Sequence, residues 1–177
     1  MSVTKKLVLL LPLLLLALAA CAAAGVSVTD TPLPPLTLQP PPKITFSGAC
    51  SLTSDLEAWL QTTSQLASEF LTQMTNAAAQ ERAAMRETVL TMAALRDSAH
   101  LIATPDCALE TEIMLSDAMN QAVDMFQAYV NGDRVDLGNT VADVTDRLER
   151  VIAQQAELAL QLEAQFRQEQ AQATANP

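Results

Sequence analysis

Only four glycines, one histidine, one tryptophan and one tyrosine occur among 177 residues. Gly25, Gly48, Gly132 and Gly138 are isolated from one another, so no glycine-rich loop is available to cradle a phosphate. The lone His100 leaves no second histidine for a di-metal carboxylate site of the helical-bundle kind. It also makes a Ser/His/Asp arrangement hard to assemble, because it falls at a predicted helix end. Aromatic residues are 3% of the chain, too few to line the platform of a paired-carboxylate glycosidase cleft. The three cysteines contain no CxxC redox pair. Basic side chains number 10 against 20 acidic ones, which argues against nucleic acid and against electrostatic docking on anionic lipid. Together these shortages point to a non-catalytic protein with no catalytic residues, no resident cofactor and no metal site.

What is present begins with Lys5 and Lys6, then an apolar run from Leu7 to Ala20 broken by Pro12, then Leu18-Ala19-Ala20-Cys21. The run has the length of a signal h-region and falls short of a membrane span. This stretch resembles a bacterial lipoprotein signal peptide with its lipobox. The resemblance covers residues 1–21 alone. It implies that residues 1–20 are removed, that Cys21 is lipidated, and that the remainder lies in the cell envelope, outside the cytoplasm. The membrane is then a partner through the lipid on Cys21. Ala22 after the cysteine implies the outer membrane where the organism has one. An uncleaved anchor, with the apolar stretch continuing through Val26, is the alternative.

Residues 21–49 hold Pro32, Pro34, Pro35, Pro40, Pro41 and Pro42, which exclude helix and favour extended polyproline conformations. A disordered tether that holds a domain off the membrane is expected, reaching on the order of 80–90 Å if fully extended. A docking ligand for a proline-reading module is the functional alternative.

Residues 50–168 carry helical periodicity. Ser54-Asp55-Leu56-Glu57 reads as a capping box opening a first helix, with Leu56, Trp59, Leu66, Phe70 and Met74 on one face and Thr63 as its polar interruption. The pattern loosens at Thr75-Asn76, where a turn is expected. A second helix places Met85, Val89, Met92, Leu95, Ala99 and Ile102 at steps of three and four. Thr104-Pro105-Asp106 reads as a cap and restart, opening a third helix with Leu109, Ile113, Met119, Val123, Phe126 and Val130 that stops at Asn131-Gly132. After a loop over 133–139, the last helix carries a heptad seam of Leu137, Val141, Val144, Leu148, Val151, Leu158 and Leu162, with Gln155 as its exception. Asp143/Arg147 and Asp146/Arg150 are acid-before-base pairs at i, i+4. The tail at 169–177 is expected to fray.

No glycine or proline separates the first two helices, so one helix of roughly 50 residues is an alternative to a hairpin. With Cys21 reserved for lipid, a Cys50–Cys107 disulfide in an oxidising compartment favours the hairpin, since one straight helix would hold the pair apart. The expected fold is all-α: an up-and-down four-helix bundle of hairpins behind the proline-rich tether, with an elongated self-associating hairpin as runner-up.

His100 reads as a polar residue near a helix end, and the six methionines from Met74 to Met125 as core rather than copper ligands. Convergence of Asp106, Glu110, Glu112 and His100 into a hard-cation site is the remaining metal alternative. The expected function is therefore interaction, as an envelope scaffold, adaptor or accessory subunit. Val141, Val144, Leu148, Val151, Leu158 and Leu162 on the last helix are the candidate seam for a protein partner or a second copy, with packing into the chain's own core as the other reading of the same residues. The alternative is an envelope binding protein for a metal or small apolar ligand held between the helices.

Overall fold

Four stretches of three-and-four apolar spacing each need a partner for one face, and in the computed structural model they find it in one another. The structure describes residues 33–48 and 53–175, and the compact unit that carries the bundle is Pro35–Pro177. The helices among the described residues are α1 (Thr53–Ala78), α2 (Met85–His100), α3 (Leu109–Asn131) and α4 (Leu137–Ala175). Each packs on the next, and α4 closes back onto α1. The result is the expected all-α, up-and-down bundle. The hairpin, not a single long helix, joins α1 to α2. Two short parallel strands, β1 (Phe46–Gly48) and β2 (Thr104–Pro105), are the only pairing outside the helices among the described residues.

The main core is built from Ala67, Phe70 and Met74 on α1, Met85, Val89 and Met92 on α2, Leu115, Met119, Val123 and Phe126 on α3, and Val144, Leu148 and Val151 on α4. A second, smaller cluster gathers Leu56, Trp59, Leu60, Ala108 and Leu162 at one end. Met74, Met85, Met92 and Met119 are packed among alkyl and aromatic side chains in the main core, as expected of core methionines.

Several local expectations need correction. The first turn lies at residues 79–84, past Thr75-Asn76, because Ala77 is fully buried and holds α1 in register for one more turn. Thr104-Pro105-Asp106 does not start a helix. Pro105 has φ −65° and ψ 146°, Thr104 pairs with Phe46, and a 3-10 turn over Asp106–Ala108 precedes α3. Ile113 is 48% exposed, and Leu115 takes the core position on that helix. The last helix starts at Leu137, capped by Asp136, whose Oδ1 accepts the Asn139 N–H at 3.1 Å. It runs to Ala175, so the tail expected to fray is helical through that residue. Asn131-Gly132 does stop α3, as expected.

The largest correction concerns the proline-rich segment. Cys21 and the first part of the expected tether lie outside the described residues. From Leu36 onward the chain is a strap on the bundle rather than a free tether. Leu36 is 3% exposed within the main core, and its N–H donates to Asn131 Oδ1 at 2.6 Å. An extended segment has no internal hydrogen bonds of its own. Here donors on α2 and α3 satisfy it instead.

Gly132 closes α3 with φ +97°: its N–H donates to Tyr129 O, and that of Asp133 to Ala128 O, both at 3.0 Å. Gly132→Ala should destabilise the bundle by about 1–2 kcal/mol through backbone strain alone, since a new Cβ meets nothing closer than 3.8 Å. A urea midpoint unchanged from wild type would show that the turn relaxes.

Candidate functional site

The two apolar clusters are separated by one polar layer. On α1 it falls at Thr63, between Leu60 and Ala67; on α4 at Gln155, between Val151 and Leu162; on α3 at Thr111 and Glu112, between Ala108 and Leu115. On α2 the same boundary reaches His100, beyond Ala99. Thr63 and Gln155, the two polar interruptions of otherwise apolar seams, meet: Gln155 Nε2 donates to Thr63 Oγ1 at 2.9 Å, and Thr63 Oγ1 donates to the Trp59 carbonyl at 2.7 Å. Beside them Thr111 Oγ1 donates to Gln154 Oε1 at 3.2 Å.

Glu112 is fully buried in this layer. Burial pushes its carboxyl up to about 7, with the Trp59 indole pulling the other way. Neither Trp59 Nε1 nor either Glu112 oxygen closes a hydrogen bond of ordinary geometry, and Gln155 Oε1 and Thr104 Oγ1 are also buried without a partner. Each such group costs about 1–3 kcal/mol. Membership of a candidate cation cluster is a poor guide to Glu112. Its spacing carries a better signal: it is seven residues before Met119 and three before Leu115, on the seam of α3.

A second set of polar side chains lies between α2 and α3. His100 is 2% exposed, with Nδ1 donating to the Pro42 carbonyl at 2.9 Å and Nε2 accepting from Ser116 Oγ at 2.8 Å. Asn120 Nδ2 donates to the same Ser116 oxygen at 3.3 Å. Arg96 is 2% exposed, pairs with Asp97 at 2.8 Å and donates to the Gln39 carbonyl at 3.3 Å. Gln127 and Asn131 donate to the Leu36 carbonyl at 3.0 and 2.9 Å. His100 thus joins the strap to α3 and is no merely polar helix end. Asp106, Glu110, Glu112 and His100 do not converge: among the described residues no group of three or more His, Cys, Asp or Glu could hold a metal.

Of the candidate seam, Val144, Leu148 and Val151 are fully buried in the main core, Val141 packs against it, and Leu162 and Leu158 belong to the end cluster. The seam is therefore spent inside the chain. What α4 leaves open is a groove of about 910 Å³ against α1, lined by Leu60, Ile152, Ala156, Ala159, Leu162 and Phe166 among others. Cys107 is exposed in the 3-10 turn. Cys21 and Cys50 both lie outside the described residues, as does the Ser54 side chain of the expected capping box. No helix among the described residues is long and apolar enough to cross a membrane.

Glu112 makes stability depend on pH. Its folded pKa lies above that of an unfolded glutamate, so the native state holds the proton more tightly, and stability is complete below about pH 4.5 and lost as pH rises towards 7. The loss is on the order of 3 kcal/mol. Urea midpoints for wild type should fall over that window, and Glu112→Gln should remove most of the slope. A parallel pH profile for the two proteins would refute the assignment to Glu112.

The chain matches no model of a known protein family, and neither the curated proteins nor the solved structures contain a match to it.

Proposed function

We propose that this is a lipid-anchored, extracytoplasmic helical protein that acts by interaction, as an envelope scaffold, adaptor or accessory subunit, through the free end of its last helix. The lipobox resemblance supplies the anchor at Cys21, and a Cys50–Cys107 disulfide would suit that compartment. The observation that carries the reading is the length of α4. Its 39 residues exceed what the bundle can cover. Leu162 packs beside Leu56, only three residues from the start of α1, yet α4 continues to Ala175. At 1.5 Å per residue, about 14 Å of helix passes the end of α1. Just before this stretch, where α4 still lies along α1, Leu160 is 66% and Phe166 42% exposed. A projecting polar helix with exposed Leu160 and Phe166 and a groove at its root offers a partner both a surface and a slot.

Covalent cross-linking in intact cells, followed by intact-mass analysis, tests this. The mature chain should carry lipid on Cys21 and be lighter by the two thiol hydrogens of Cys50 and Cys107. Leu160→Asp with Phe166→Asp should abolish the cross-linked complex while leaving the melting temperature within a few degrees, since both side chains are exposed. Leu148→Asp should instead unfold the bundle. A complex that survives the double substitution would sink the assignment to α4.

The α1/α4 groove favours a second reading, an envelope binding protein for a small apolar ligand, because its volume matches that of small-molecule sites. An apolar fluorophore should then bind saturably, and Ala156→Trp should block it. No saturable binding to wild type would remove this reading.

A further inference from the structure

The backbone carbonyls by which the strap is held are those of Leu36, Gln39, Pro42 and Thr45. They recur every third residue, the repeat of a polyproline II helix, which turns one carbonyl per turn towards the same side. Side chains on α2 and α3 receive the first three: Gln127 and Asn131 take Leu36, Arg96 takes Gln39, and His100 takes Pro42. The Thr104 N–H takes the fourth at 2.9 Å. We infer that the α2/α3 groove is a binding site for extended, proline-rich peptide segments, occupied in this structure by the chain's own residues 36–45, and that a partner protein presenting such a segment displaces them.

The chemistry of the groove defines its ligand. Among the described residues it offers donors at three consecutive turns and accepts one backbone N–H of the strap, that of Leu36, at Asn131 Oδ1. Proline has no N–H, so every other position of the ligand can be proline without loss. Specificity comes from Leu36, the one fully buried side chain among residues 35–46, with the half-buried Leu38 packed against the same core. Backbone contacts that supply affinity and one pocket that supplies register are the way extended peptides are generally recognised. The donors are also prepared in advance. Arg96 is held by Asp97, and His100 by Ser116, which Asn120 also contacts. These partners lie on the helices, so the groove keeps its shape when the strap leaves. A seated strap tied to the same chain competes at an effective concentration on the order of millimolar, so the wild-type groove is closed to weak ligands.

The test uses the full chain and a fluorescent peptide with the sequence of residues 33–46, read by anisotropy. Leu36→Ala weakens the chain's own strap while the peptide keeps its leucine. This variant should bind the peptide about tenfold or more tighter than wild type. Adding Asn131→Ala to it should abolish the gain, and a peptide with alanine at the place of Leu36 should bind neither protein. If Leu36→Ala, shown to be folded by circular dichroism and a cooperative melt, binds no better than wild type, the inference fails. It fails equally if Asn131→Ala leaves the affinity unchanged. Should Leu36→Ala lose cooperativity, hydrogen exchange at Leu36 in the wild-type chain replaces it: excess peptide should exchange the bound strap and speed that amide, and an unaltered rate overturns the proposal. A wild-type dimer that Leu36→Ala converts to a monomer would put the strap of a second copy in the groove and overturn the partner assignment.

Discussion

The hydrogen bond from Gln155 to Thr63, 2.9 Å long and buried, holds α4 in one register against α1. An apolar seam alone tolerates slippage by a turn or a heptad. A single polar pair inside it does not, since any slip buries both groups against hydrocarbon. Much else depends on that register. With Gln155 opposite Thr63, Val144, Leu148 and Val151 fall into the main core and Leu162 falls beside Trp59 and Leu60. The point at which α4 runs past α1, and so the length left projecting, follows from the same bond.

Glu112 shares that layer but contributes in the opposite sense. A carboxyl without a closed hydrogen bond weakens the fold, the more so once ionised. Its neighbour Trp59 likewise leaves its indole N–H unmatched. Replacing the layer with hydrocarbon would join the two clusters into one core and stabilise the bundle. It would also remove the feature that distinguishes one register from another.

The bundle is largely legible in the sequence because its helices carry seams of steady spacing, and the seam of α4 can be read residue by residue. The hairpin is legible too, although its turn comes later than the loosening at Thr75-Asn76, for Ala77 is small enough to look neutral yet fully buried. Ile113 misleads because its apolarity outweighs its phase. Glu112 sits in phase with Leu115 and Met119, and is easily overlooked because burying a carboxylate is costly. The meeting of Thr63 with Gln155 needs only that the polar exceptions of two seams be placed at one level. The strap is illegible for a different reason. Proline content excludes helix correctly, but it says nothing about donors on distant helices, and Arg96, His100, Gln127 and Asn131 stand 57 to 95 residues away from the carbonyls that they meet.

The position of the strap gives the bundle a direction. Leu36 bonds Asn131, at the end of α3, whereas Thr45 meets Thr104, just before α3 begins. The strap therefore traverses the bundle lengthwise, entering at the end where α3 stops and α4 starts. The free end of α4 lies at the other. Under the proposed anchor at Cys21, the sequence left to serve as a tether stops at Leu36 instead of running on to residue 49. In a ring of four helices the strap fills the α2/α3 groove, and the groove that stays open, between α1 and α4, is the one across the ring from it. Occupancy of one groove leaves the other accessible, and an adaptor that joins two partners needs that separation.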